Sequence, residues 1–272
     1  MANKKLTEEL KAEIIAEYLK QPISLHELEL KFNLSHPTVT KVLKDVPKYK
    51  KAQVFNPELN EHFFSNIDSE EKAYFLGLII ADGNIFRSNN SRQDSISITL
   101  WKSDSYILEK FKSLVKCTTS LVEDNRKTPA VAIAVRSNIM SQDLAKFGVI
   151  PNKTLHTYLP KVGSKFMNAL IRGILDGDGS ILGKQHGTRF LHAISFCGTH
   201  QLMSDISDYI FTNLDLNQKP KVYDYKDKNL SEIKIQSKHD IIKLGDWLYK
   251  DATVYLIRKK VIYDMIKNHY TV

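Results

Sequence analysis

The feature that most constrains this chain is a nine-residue stretch that occurs twice. It reads Phe75-Leu76-Gly77-Leu78-Ile79-Ile80-Ala81-Asp82-Gly83, and again Ile171-Arg172-Gly173-Ile174-Leu175-Asp176-Gly177-Asp178-Gly179. The copies are 96 positions apart, as Gly77 and Gly173 show, with Gly, a small residue, Asp and Gly at matching places. Each reads as an apolar helix ending in Asp-Gly, the glycine being expected to supply the left-handed turn that stops a helix. Small residues recur four apart, Gly77 with Ala81 and Gly173 with Gly177. That spacing puts both on one helix face, so two such helices can pack with their backbones close together. An acid then falls on each last turn, where the helix dipole already disfavours negative charge. Two such acids make sense if they meet and share cations. A calcium loop starting at Asp176 is excluded, because its twelfth position would be Gly187 and not a bidentate Glu.

A chain of 272 residues with 42% hydrophobic content can bury a large core, as one domain or as a main domain with a small accessory one. It contains no apolar run long enough to span a membrane. The opening Met1-Ala2-Asn3-Lys4-Lys5-Leu6 is polar and lacks a signal-peptide core, so an intracellular location (cytoplasm or nucleoid) is expected. Cys117 and Cys197 are too few and too scattered for a disulfide framework or a zinc site. A net charge of +8 favours a polyanionic partner.

Periodicity divides the chain into residues 1–46, a basic linker 47–67, a first half 68–160 and a second half 161–272. In the first segment Leu6, Leu10, Ile14, Ile15 and Leu19 recur at helix spacing. Ser24 can cap a second helix, Phe32-Asn33-Leu34 makes a tight turn, and Ser35 caps a third helix that tolerates Pro37 in its first turn. Leu28, Leu34, Val39 and Leu43 would form a small core. This segment looks like a helix-turn-helix module, which would direct Ser35, His36, Pro37, Thr38 and Lys41 toward a major groove. An ordinary helical bundle is the alternative. Asp68 or Ser69 would cap the first motif helix, with Glu70 and Glu71 in its first turn.

Beyond Gly83 the pattern alternates with period two. Ile96, Ile98 and Leu100 alternate with Ser95, Ser97, Thr99 and Trp101, a half-buried strand after a hairpin partner near 84–88. A helix is expected over 103–115, strands near 118–123 and 130–136, and a helix near 138–147. The second half repeats the order, with strands near 180–185, 190–197, 220–225 and 231–236, and helices near 200–213, 238–249 and 255–268. The fold class is α+β: two pseudo-symmetric α-β-β-α-β-β-α units, each with an antiparallel sheet, preceded by a small all-α module.

The doubled motif resembles that of the LAGLIDADG homing endonucleases, in the form with two motifs on one chain, over roughly residues 55 to 270. The resemblance implies two sheets forming a saddle over double-stranded DNA, a monomer, and no nucleotide cofactor. It implies a double-strand break with short 3′ overhangs, made with a divalent metal, Mg2+ being the natural cation for an all-oxygen site. The metal would be held by Asp82 and Asp178 and by the backbone carbonyls of Ala81 and Gly177. Lys102 resembles a family lysine at the end of the second strand, its counterpart aligning with Gly198. Lys153 and Lys259 come from matching contexts around the last helix of each half. These lysines would stabilise charge on phosphate. Trp101 and Cys197 stand where relatives often carry Gln, and Asp176 is expected to be structural or solvent-facing.

On that fold, outward strand residues would read the major groove. Counting by twos from the acids gives Asn84, Phe86 and Ser88, then Ser180, Leu182 and Lys184. The second strands supply Ser95, Ser97 and Thr99, with Arg189 and His192. The late strands supply Ala132, Ala134 and Arg136, with Glu232, Lys234 and Gln236. Loop residues Arg87, Asn89, Arg92, Gln93, Lys127, Gln185 and His186 would reach bases or phosphates. Competing functions are a DNA-binding transcription regulator that has lost cleavage and an RNA maturase. Two acids at an electrostatically poor position argue against the first.

Overall fold

A computed structural model describes residues 6–20, 25–44, 46, 58–87, 93–124, 129–151, 157–226 and 228–271. The chain divides into two compact units at positions 57 and 58.

The smaller unit holds three helices, α1 (Glu8–Lys20), α2 (Leu25–Phe32) and α3 (His36–Leu43). Ile14, Leu28 and Val39 are fully buried. Leu34 and Leu43 are only half-buried, and Leu19 is exposed rather than inward. The turn after α2 is made by Asn33, whose φ of 51° is the left-handed conformation that Asn tolerates better than most residues. Ser35 holds the cap position of α3, but its hydroxyl hydrogen-bonds that of Thr38 at 2.9 Å rather than a helix amide. The expected cap at Ser24 lies outside the described residues.

The larger unit is built twice. Its first half runs α4 (Glu70–Asp82), β1 (Gly83–Phe86), β2 (Ser95–Trp101), α5 (Ser105–Leu114), β3 (Val122–Asp124), β4 (Ala130–Arg136) and α6 (Asn138–Ala145). Its second half runs α7 (Met167–Asp178), β5 (Gly179–His186), β6 (Arg189–Gly198), α8 (His200–Leu214), β7 (Val222–Tyr225), β8 (Leu230–Ile235), α9 (Lys238–Tyr249) and a further helix α10 (Ile257–Thr271). Both sheets are antiparallel, with strand orders β1-β2-β4-β3 and β5-β6-β8-β7. The strand expected near 118–123 is only three residues long, starting at Val122. Serine and threonine caps set the helix starts. Ser69, Ser137, Thr199 and Ser237 accept from the amides of Lys72, Met140, Leu202 and Asp240.

The motif glycines do not end their helices as expected. Gly83 has φ of −79° and Gly179 −103°, so neither is left-handed. Each helix instead runs straight into a strand, and the space there is too small for a side chain. A Cβ at Gly83 would lie 2.6 Å from the Ile79 carbonyl oxygen, and one at Gly179 2.6 Å from that of Leu175.

One continuous apolar core runs through both halves, and α4 and α7 form its middle. Eight consecutive residues of α4, Ala73 to Ile80, are buried, because each face of this helix meets either a sheet or its twin. Polar contacts also join the halves. The Tyr106 hydroxyl accepts from the Ile257 amide at 2.6 Å and donates to the Tyr255 carbonyl at 3.2 Å. Arg258 pairs with Asp104 at 2.9 Å and lies over the Trp101 ring. Among the described residues, no helix is long and apolar enough to cross a membrane.

Candidate active site

The two motif helices meet through their small residues, and the contact is reciprocal. A Cβ on Gly77 would fall 2.0 Å from the Leu170 carbonyl oxygen and 3.0 Å from the Ile174 amide. One on Gly173 would fall 2.1 Å from the Tyr74 carbonyl oxygen and 2.8 Å from the Leu78 amide. Leu170 and Ile174 occupy in α7 the places of Tyr74 and Leu78 in α4, so the two helices are related by a pseudo-twofold axis. Further along, a Cβ on Gly177 would collide with that of Ala81 at 2.3 Å. Side-chain volume is excluded on this seam, and the backbones themselves form the interface.

That approach sets the acids. Asp82 and Asp178 are the last residues of α4 and α7, and both are exposed. The Asp82 carboxylate crosses toward the other helix, its Oδ2 lying 3.3 Å from where a Gly177 Cβ would stand. Asp82, Gly177 and Asp176 line a cleft of about 280 Å³ with Thr99, Leu100, Trp101, Asp104, Ala130 and Arg258. Across the axis, burial and the carboxylates of Glu232 and Asp178 push the Cys197 thiol up. Among the described residues, no group of three or more His, Cys, Asp or Glu could hold a metal by itself. A cation at these helix ends would therefore need exogenous oxygens beside the few carboxylates and carbonyls the chain offers. That donor set fits Mg2+, which keeps waters and takes few protein ligands.

Behind the acids lies a buried polar network that the sequence reading largely missed. Asp176 is 1% exposed, so it is not solvent-facing. Its Oδ2 accepts from the Tyr74 hydroxyl at 2.9 Å and the Leu256 amide at 2.8 Å, while Oδ1 is buried with no hydrogen-bond partner. Desolvation raises its carboxyl above the ordinary range, with Lys259 pulling the other way. Arg172, fully buried, donates to the carbonyls of Val254 and Leu248 and to the carboxylate of Glu70. Glu70 also accepts from the amide and hydroxyl of Thr253. The one signal for this in the sequence was an arginine inside an apolar helix, which requires a buried partner.

The three lysines have different surroundings. Lys153 lies outside the described residues. Lys259 is buried and donates to the carbonyls of Leu175, Asp176 and Gly179 at 2.5, 2.8 and 2.7 Å, so its ammonium clamps the end of α7. Burial lowers its amine to about 8. Lys102 is half-exposed at the end of β2 and pairs with Glu123 at 2.7 Å.

The strand registers correct the expected counterpart of Lys102. Gly83 pairs with Ile98, whereas Gly179 pairs with Phe196. The second hairpin is therefore two residues longer, and a constant offset of 96 misaligns everything beyond it. Thr99 corresponds to Cys197, Trp101 to Thr199 and Lys102 to His200; Gly198 matches Leu100.

Outward positions follow the expected alternation with three exceptions. Asn84, Phe86, Thr99, Arg136, Ser180, Leu182, Lys184, His186, Arg189, Lys234 and Gln236 are exposed; Ser97, Ala132, Ala134 and Glu232 are partly so. Ser95 is buried, paired between Phe86 and Arg136. His192 faces the other way, since Leu182 pairs with Ala193 and Lys184 with Leu191. Its ring bonds Tyr270 and the Gln236 carbonyl. Gln185 stands on β5 one step out of phase with Lys184 and donates to the Gly187 carbonyl. Arg87 is held by Asp94 and Asn138, and Gln93 is half-buried. Ser88, Asn89, Arg92 and Lys127 lie outside the described residues. Exposed Leu191, Tyr223 and Tyr225 join this surface unexpectedly. In the small unit Ser35, His36 and Lys41 are exposed, Thr38 is partly buried, and His36 pairs with Glu29 at 2.5 Å.

No family model matches the chain. No curated protein matches it. Solved structures do. The chain is similar to the meganuclease I-SmaMI bound to uncleaveable DNA, with a TM-score of 0.51 at 11% identity over 73% of this chain and 90% of that one. It is similar to the LAGLIDADG homing endonuclease I-GzeII in complex with its DNA target, with a TM-score of 0.51 at 13% identity over 74% and 92%. I-SmaMI bound to cleaved DNA gives 0.50 at 10% identity over 74% and 89%. The fold of the larger unit is that of the LAGLIDADG homing endonucleases.

Proposed function

We propose that this chain is a sequence-specific DNA endonuclease of the homing type, working as a monomer on double-stranded DNA. What supports this most is the pair of acids at facing helix ends whose backbones touch, with Asp82 lying against Gly177. A purely structural seam would have no use for two carboxylates at helix C-termini. Two proteins similar in fold, in three structures, are described as nucleases bound to DNA. A net charge of +8 suits a polyanionic duplex.

In this reading Asp82, Asp178 and the carbonyls of Ala81 and Gly177 would hold Mg2+, which would supply Lewis-acid compensation for phosphate charge and an acidified water. The chain's own residues position the duplex. Outward residues of both sheets line the major groove, and Phe86, Leu182 and Leu191 offer apolar contact to thymine methyls. Two scissile phosphates, one per acid, give a double-strand break with short 3′ overhangs. The three-helix unit adds a second DNA contact through Ser35, His36, Thr38 and Lys41.

Incubation with a randomised duplex library and Mg2+, followed by sequencing of the cut ends, tests the proposal. The expected result is one long site with 3′ overhangs, cut by the native protein and bound but uncut by Asp82→Asn and Asp178→Asn. Selective retention of one sequence without cutting would identify a regulator instead. Removal of residues 1–45 is expected to shorten the protected stretch of DNA while leaving the cut position unchanged.

A further inference from the structure

The two halves of the larger unit carry matching cation–carboxylate pairs at equivalent points of their sheets. In the first half Lys102 Nζ meets Glu123 Oε2 at 2.7 Å. In the second, His200 Nδ1 meets Asp224 Oδ1 at 2.8 Å. The registers make these pairs equivalent. Glu123 pairs with Val131, which pairs with Leu100, two residues before Lys102. Asp224 pairs with Ser231, which pairs with Gly198, two residues before His200. Each cation also lies three residues beyond the strand position next to its own motif acid. Thr99 lines the cleft of Asp82, and Cys197 feels the charge of Asp178.

We infer that His200 is the phosphate-contacting cation of the second half, as Lys102 is of the first, and that each serves cleavage of a different DNA strand. Both pairs are exposed, at 50% and 49% for Lys102 and Glu123 and at 64% and 61% for His200 and Asp224. Exposed ion pairs are held weakly, so a phosphate can displace the carboxylate from either cation. The second pair also opens onto a hollow of about 400 Å³ shared with Thr199, Lys228, Asn229, Leu230 and Ser231, large enough for a phosphate and its waters. In this role the His200 ring donates an N–H to a phosphate oxygen; no bond to His200 forms or breaks.

The inference rests on the endonuclease reading, and the test separates the two. The duplex recovered from the randomised library, labelled on each 5′ end in turn, is cut by native protein, Lys102→Ala, His200→Ala and His200→Lys, with binding measured in Ca2+. Lys102→Ala and His200→Ala are expected each to slow cleavage of one strand by about 100-fold, of opposite strands, leaving nicked product and only a small loss of binding that is the same for any sequence. His200→Lys restores the lost strand. A protein that cuts nothing in native form defeats the endonuclease reading. Native double cutting with His200→Ala cleaving both strands at native rates, or losing both equally at an unchanged melting temperature, overturns this inference alone. Were His200→Ala to melt early, His200→Gln, which keeps a hydrogen bond without the charge, decides by the same strand count.

Discussion

The ammonium of Lys259 stands 2.8 Å from the carbonyl oxygen of Asp176, two residues short of the helix end that carries Asp178. It thereby adds a donor, from a distant helix, to carbonyls at the end of α7, of which that of Leu175 also accepts from the Gly179 amide. Removing it as Lys259→Met takes a donor from each of these carbonyls, while relieving the burial of a charge. The first effect is expected to win, at about 1–2 kcal/mol by urea titration. Native stability in that variant would show that the clamp is idle.

The reciprocal glycine contacts predict strong and non-additive substitutions. Gly77→Ala and Gly173→Ala each drive a methyl group into backbone on the opposite helix, at 2.0 and 2.1 Å. Each is expected to lose about 3 kcal/mol, since neither contacted atom belongs to a side chain that can rotate away. Once the helices have separated, the second methyl meets less resistance. The double variant should therefore lose less than the sum of the singles in urea titrations.

Asp176→Asn keeps the acceptor for Tyr74 and Leu256 and replaces the unpartnered Oδ1 by an uncharged amide. Its melting temperature at neutral pH should equal or exceed that of the native chain, because a buried, half-satisfied carboxylate is costly. Asp176→Leu, which abandons both donors, should be the more damaging of the two.

Acid acts on the start of α4. Lys72 bonds Asp68 at 2.8 Å and holds its carboxyl below the ordinary range. A depressed folded value means that the pair contributes stability above the unfolded carboxylate range and loses it as pH falls through the folded value. The pair is exposed, so about 0.5 kcal/mol is expected. Asp68→Asn should then match native stability at pH 2 and fall below it at pH 7 in thermal melts.

The repeat and the period-two runs made the α-β-β-α-β-β-α order legible, because burial on one face of a strand and on all faces of α4 leaves a direct trace in residue type. The seam was legible too, since glycine and alanine four apart have few other uses. What stayed hidden depends on distant partners. Nothing near Lys259 in the chain reveals the carbonyls it binds, because they lie some eighty positions away. Tyr74 and Asp176 are separated by 102 positions. The identity of His200 as the match of Lys102 needed the hairpin register, for a two-residue insertion in an alternating strand preserves the alternation. The conformation of Gly83 and Gly179 was misjudged because absence of space and need for positive φ select the same residue.

The Tyr74–Asp176 hydrogen bond has no mirror image, for the equivalent positions are Leu170 and Ile80. Two copies of the first half would face a phenol with isoleucine, and two copies of the second would set each carboxylate against leucine. Neither half can be expressed alone and pair with itself without stranding a polar group in the seam. An exchanged half would keep this contact only where it brings the matching partner, an aspartate opposite Tyr74 or a tyrosine opposite Asp176.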